Sequence, residues 1–211
     1  MTTPRRALVL VDVQQEYFGG PLEIQYPPHD TSLPQIARAI DAAAAAGIPV
    51  VAVQHTVGEG APVFDPTSEG FRLHPEVEGR RSGDWKSVVK QYGTVFAGTD
   101  LLAWLRERDI DTITLVGYMT NNCIISSAAE AETHELSAEV LSDATGAVNI
   151  ANDAGFADAM AVHTTLLTVL NSNWAAVADT TAWIDAVTAG QPLPKSDLGT
   201  SAVIGAQRAA R

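Results

Sequence analysis

Apolar and polar positions along this chain fall into blocks that repeat one order. ALVLVDV at 7–13 is a short, nearly unbroken run of leucine and valine, the pattern of a strand covered on both faces. LPQIARAIDAAAAAG at 33–47 has helical apolar spacing and stops at a glycine, and PVVAVQH follows as a second strand. The order recurs: TDLLAWLRERDI precedes TITLVGY, the stretch opened by Cys123 precedes AEVLSD, and GFADAMAVHTTLLTVLNS precedes WAAVAD. SVVK at 87–90 supplies one more short strand. Alternation of this kind predicts an α/β fold of three layers, a mostly parallel sheet with helices on both faces and right-handed crossovers.

Two regions break the rhythm. Residues 57–86 are rich in glycine, proline and charge without periodicity, and an insertion of that length suggests a lid or binding loop. From Gly190 the chain again loses its pattern, so residues 190–211 are expected as a C-terminal extension of one domain spanning 1–211. No linker divides the chain and no repeat of fixed period runs through it.

Composition narrows the partners. Hydrophobic residues make up 46% and charged residues 18%, a globular balance, while the net charge of -12 disfavours nucleic acid and anionic membranes. No apolar run reaches the roughly 18 residues of a membrane helix. The start MTTPRRALVLVDV lacks a secretory pattern and the single cysteine cannot close an internal disulfide, so a cytoplasmic protein with a small-molecule substrate is expected.

Candidate chemistry gathers at strand ends. In open parallel sheets ligands bind beyond the carboxyl ends of the strands, where residues distant in sequence converge. Asp12 closes the first strand, Lys90 closes SVVK, and Cys123 follows TITLVGY at the start of a helix, where exposed N–H groups favour a thiolate. Each has a plainer reading: Asp12 as a turn cap, Lys90 as a solvated lysine, Cys123 as a small buried hydrophobe. Together, an acid, an ammonium and a thiol on one sheet edge make a proton acceptor, a charge stabiliser and a nucleophile. From ordinary values, moving a proton from thiol to carboxylate costs about 6 kcal/mol, which the surroundings must offset.

ALVLVDVQQEYF, KQYGTVFAGTDL and GYMTNNCIISSAAEA resemble, in order, three signature blocks of the isochorismatase-like cysteine hydrolases, and the likeness spans about residues 7–178. The resemblance implies a flavodoxin-like three-layer fold, a catalytic triad of Asp12, Lys90 and Cys123, and hydrolysis of small amides or related C–N bonds through an acyl-enzyme. It also implies a cis peptide between Tyr118 and Met119, with the N–H groups of Met119 and Cys123 as oxyanion hole. Family members that cleave a vinyl ether lack the thiol, so Cys123 points to amide chemistry. The resemblance further implies a homo-oligomer, a dimer or tetramer.

Departures from the family pattern bear on the pocket. Glu16 stands where many members carry an aspartate, while Gln14 and Phe18 remain pocket candidates. Trp85, Tyr92, Phe96 and Tyr118 lie near the trio in sequence and are candidates to line an apolar pocket, against the plainer reading of core packing. Metal-binding nicotinamidase-like members carry an Asp-x-His segment after the second strand, where this chain reads QHTVGEGAP. His55 and His74 are too few for a metal site, so no metal is expected and His55 is read as a pocket or loop-anchoring residue. His134 and His163 read as packing or surface residues. GxSxG, GxxxxGK[ST] and GxGxxG are all missing from the sequence, and no cofactor is expected. The alternatives are a non-catalytic small-molecule binding protein on the same fold and a metal-assisted nicotinamidase-like amidase.

Overall fold

The computed structural model describes residues 3–210. Its centre is a six-stranded sheet in the order β3-β2-β1-β4-β5-β8, every neighbouring pair parallel. The strands are β1 (Arg6–Val11), β2 (Val50–His55), β3 (Lys86–Lys90), β4 (Thr112–Tyr118), β5 (Ser137–Gly146) and β8 (Ala175–Ala178). A hairpin of β6 (Ile150–Asn152) and β7 (Gly155–Ala157) stands apart from it. From β1 the chain builds outward through β2 to β3, then crosses back to lay β4 on the other flank of β1. The order therefore reverses between β1 and β4, the crevice where parallel sheets bind ligands.

Strand β1 shows why the apolar runs are so dense. All its residues are buried, and alternate side chains enter opposite layers, Leu8 and Leu10 on one face, Ala7, Val9 and Val11 on the other. Each buried valine or leucine contributes about 1.5–3 kcal/mol by leaving water. The first layer holds α1 (His29–Ala46) and α6 (Thr180–Ala189); the second holds α3 (Leu101–Arg106), α4 (Ile125–Thr133) and α5 (Ala159–Asn173). α2 (Pro75–Glu78) is a single turn within the insertion.

Helix α1 begins four residues before the expected Leu33 and carries Pro34 inside it. Its first turn forms because the amides of Thr31 and Ser32 and the Thr31 hydroxyl all bond the Pro28 carbonyl, which offsets the proline's missing donor. The stop is the expected one, Gly47 in the left-handed region at φ +67°.

The C-terminal segment folds onto the domain. Leu193 is buried, Gln191 gives its carbonyl to Arg6, and α7 (Leu198–Ala209) packs beside α5 with Leu198, Val203 and Ile204 exposed. Among the described residues no helix is long and apolar enough to cross a membrane.

Candidate active site

Three strand ends deliver the trio to one point. Asp12 follows β1 directly in the left-handed region at φ +50°, a conformation an aspartate tolerates better than most residues, and its side chain is fully buried. Lys90 ends β3 and reaches across the exit of β2; its Nζ lies 2.8 Å from Asp12 Oδ2 and 3.2 Å from Cys123 Sγ. The same ammonium lies 3.1 Å from the Tyr92 carbonyl and 3.2 Å from His55 Nδ1. The 2.8 Å contact is a buried ion pair, and the Asp12 carboxylate also lies within hydrogen-bond reach of the Cys123 thiol.

Burial dominates the electrostatics. Cys123 is 1% exposed, and burial first, then the Asp12 charge, push its thiol up to about 12, against a smaller pull from Lys90. Burial and the Asp12 charge thus oppose the thiolate that the helix terminus and Lys90 favour, and they press the resting sulfur toward its protonated form. Burial likewise raises the Asp12 carboxyl, opposed by Lys90. His55 is lowered to about 4 by burial and by the neighbouring ammonium, so its ring is neutral at pH 7.

The backbone around the sulfur is set by Gly117. It sits at φ +107° where the β4–β5 register shifts, and a Cβ there would lie 2.1 Å from the Val11 carbonyl oxygen. Only glycine lets β4 approach β1 this closely. The next peptide, Tyr118–Met119, is cis. Beyond it Thr120–Ile124 form one π-helical turn, carrying Cys123, that runs into α4. The Met119 amide N–H has no acceptor among the described residues, leaving a donor beside the sulfur's turn.

Of the expected pocket residues, some surround the trio and some do not. His55 touches Lys90, and the Phe18 ring lies 5.8 Å from that of Tyr118 and 4.2 Å from that of His74. Gln14 is buried, and its amide is consumed by the backbone of His55 and the Phe71 carbonyl, so it clamps loops together. Tyr118 contributes its backbone; its hydroxyl is paired with Ser32 in the core at 2.9 Å. Tyr92 likewise contributes only its carbonyl, its side chain being 60% exposed. Trp85 precedes β3 at the opposite end from Lys90, roughly 16 Å of strand away. Phe96 packs on the His134 ring past the end of α4 and belongs to the buried layer behind the sulfur, with its neighbour Val95 bonded to Ser127. For Trp85 proximity in sequence misleads, because a strand carries neighbours away from a site as fast as its rise allows.

Residues 64–74 are zipped onto the segment after Asp12. Gln15 N bonds Arg72 O, Glu16 N bonds Gly70 O, and His74 N bonds Val13 O. Glu16 Oε2 accepts the Phe64 amide, which gives the residue in the family's aspartate position a loop-holding task. Phe64 and Tyr17, both missed in the sequence, pack their rings 5.4 Å apart, with Phe64 5.1 Å from His55. Tyr17 is held neutral by burial and by the nearby Asp12 charge. The alternation of Tyr17 with Glu16 and Phe18 in a short turn carries no periodic signal that would have singled it out.

Among the described residues no group of three His, Cys, Asp or Glu side chains is placed to hold a metal ion. His55 aims Nδ1 at an ammonium, a poor neighbour for a cation, so the residues here do not fit the metal of nicotinamidase-like members.

Comparison with known proteins agrees with this fold. The isochorismatase domain model matches residues 6–179. A solved isochorismatase-type protein of Burkholderia xenovorans LB400 is 47% identical with a TM-score of 0.96, covering 100% of both chains. YddQ of Bacillus subtilis, an uncharacterized isochorismatase family protein, is 29% identical over 87% of this chain and 99% of its own. Ureidoacrylate amidohydrolase RutB of Yersinia enterocolitica is 30% identical over 68% of this chain and 76% of its own. With an acid, an ammonium and a thiol meeting at the switch point of a parallel sheet, and the domain model matched from β1 through β8, this chain belongs to the isochorismatase family of hydrolases.

Proposed function

We propose that the protein is a cysteine-dependent amidohydrolase acting on a small C–N substrate through a thioester on Cys123. The observation that carries this reading is the Lys90 ammonium lying 2.8 Å from the Asp12 carboxylate and 3.2 Å from the Cys123 sulfur, all three shielded from water. Because the thiol is neutral at rest, its proton passes to Asp12 as the sulfur attacks the carbonyl carbon, and Lys90 balances the charge that moves. The Met119 and Cys123 N–H groups receive the oxyanion. Collapse expels the amine, which takes the proton from Asp12 and leaves a thioester. Water then adds, giving a proton to Asp12; the acid departs and the proton returns to sulfur.

One observation favours a binding protein on the same fold: Cys123 is closed off, as an inert core thiol would be. Acylation separates the two readings. Nicotinamide, ureido acids, maleamate and lactams are screened for amine or ammonia release, with acid-quenched samples weighed by mass spectrometry. Hydrolysis of at least one amide, an acyl adduct on Cys123, and a loss of about 10³-fold or more in Cys123→Ala are expected. Undiminished turnover in that variant would sink the thioester reading.

A further inference from the structure

The turn that presents Cys123 is anchored by a residue outside the trio. Thr120 opens the turn and is fully buried, with Oγ1 2.9 Å from Nδ1 of His163 on α5. The other ring nitrogen, Nε2, lies 3.0 Å from the Ser142 carbonyl on β5. A carbonyl only accepts, so Nε2 carries the proton, Nδ1 is left with its lone pair, and the Thr120 hydroxyl must donate to it. His163 is itself buried, which lowers its pKa and keeps the ring neutral, and the Tyr26 ring packs edge-on at 5.7 Å. The sequence reading of His163 as a packing or surface residue therefore understates it: both nitrogens are committed, in fixed directions, between the nucleophile's turn and the strand beside it.

We propose that His163 is a positioning residue for the nucleophile, acting through Thr120 to hold the turn that carries the Met119 amide and the Cys123 sulfur. Thr120 is joined directly to Met119 and lies three residues before Cys123, so a rotation at Thr120 displaces the oxyanion donor and the sulfur together. Displacement of about 1 Å in such groups costs about 10²-fold in rate while leaving ground-state binding nearly intact. This inference rests on the thioester reading above, and its test is arranged to fail separately from that reading.

The variants are Thr120→Val, Thr120→Ser, His163→Leu and the Thr120→Val/His163→Leu double, assayed on whichever panel amide is hydrolysed, with Cys123→Ala in parallel. Thr120→Val and His163→Leu are each expected to lower kcat by about 10- to 10²-fold with KM within about twofold. Thr120→Ser, which keeps the donor, should return kcat to within about threefold of wild type, and the double variant should be no worse than its more damaged parent. Unchanged kcat, loss confined to KM, or additive losses overturn the proposal; Cys123→Ala that still turns over overturns the thioester reading instead. A measurement without substrate stands beside it: alkylation of Cys123 by iodoacetamide at pH 9 should rise about fivefold or more in Thr120→Val and fall back in Thr120→Ser. An unchanged alkylation rate counts against the proposal, and if His163→Leu fails to fold by circular dichroism the two Thr120 variants decide alone.

Discussion

Gly117 and Cys123 show how single residues fix this site. A methyl group on Gly117 has no room against the Val11 carbonyl and would sit on a backbone angle that side chains rarely adopt. Gly117→Ala is expected to cost about 2–4 kcal/mol in urea denaturation and to abolish turnover; a loss below about 1 kcal/mol would show that β1 and β4 can part. A lone glycine inside a strand pattern is a readable mark of close backbone approach, so this feature was legible in TITLVGY though not singled out. The upward push of burial on the Cys123 thiol was not legible, because a helix terminus can be inferred from sequence whereas the depth of burial cannot. With its folded pKa raised to about 12, the thiol contributes stability that is complete below its unfolded value near 9 and is lost as pH rises through 12. Between pH 8 and 11 the melting temperature of wild type should therefore fall more steeply than that of Cys123→Ala, and parallel slopes would refute the shift.

At the scale of elements, the insertion and the exit of β1 behave as one unit. Gln14 bonds both the His55 backbone and the Phe71 carbonyl, so truncating it strips the His55 amide and carbonyl of their side-chain partner and leaves Phe71 with the Gln54 amide alone. Gln14→Ala is expected to speed amide hydrogen exchange across residues 56–74 by about tenfold or more while leaving β4 and β5 protected; uniform acceleration would mean global destabilisation instead. The strands, their order of appearance and the helices between them were legible because apolar periodicity reports burial on a sheet or helix face. The fastening of 57–86 was not: its backbone bonds run to Val13, Gln15 and Glu16, and backbone pairing between irregular segments leaves no periodic trace. The start of α1 was missed for a related reason, since the Pro28 carbonyl that nucleates it is invisible to side-chain pattern.

For the molecule as a whole, a buried ion pair ties the far end of the sheet together. Arg6 on β1 meets Glu139 on β5 through three bonds of 3.2, 2.9 and 2.8 Å, while Thr114 of β4 and Trp183 of α6 donate to the same carboxylate. Arg6 also reaches the Gln191 carbonyl, so the C-terminal extension is held by the same group. Arg6→Met alone should cost about 3–5 kcal/mol by stranding a buried charge, and Arg6→Met/Glu139→Met should recover most of it in urea denaturation. A double variant as unstable as the single would disprove the charge argument. Such a pair, separated by 133 positions, had no signal in one sequence. The trio did, because parallel topology sends successive strand ends to one edge and the reactive residues stood at those ends.

The Lys90 ammonium has three hydrogens and four acceptors around it: Asp12, Cys123, His55 and the Tyr92 carbonyl. One neighbour is always left without a proton to share, so a small torsional turn of the terminal amine can redistribute its hydrogens while every heavy atom stays in place. In the proposed reaction a proton leaves the sulfur for the carboxyl group and later returns, and rotation of the amine lets its hydrogens follow that exchange among side chains that are themselves buried.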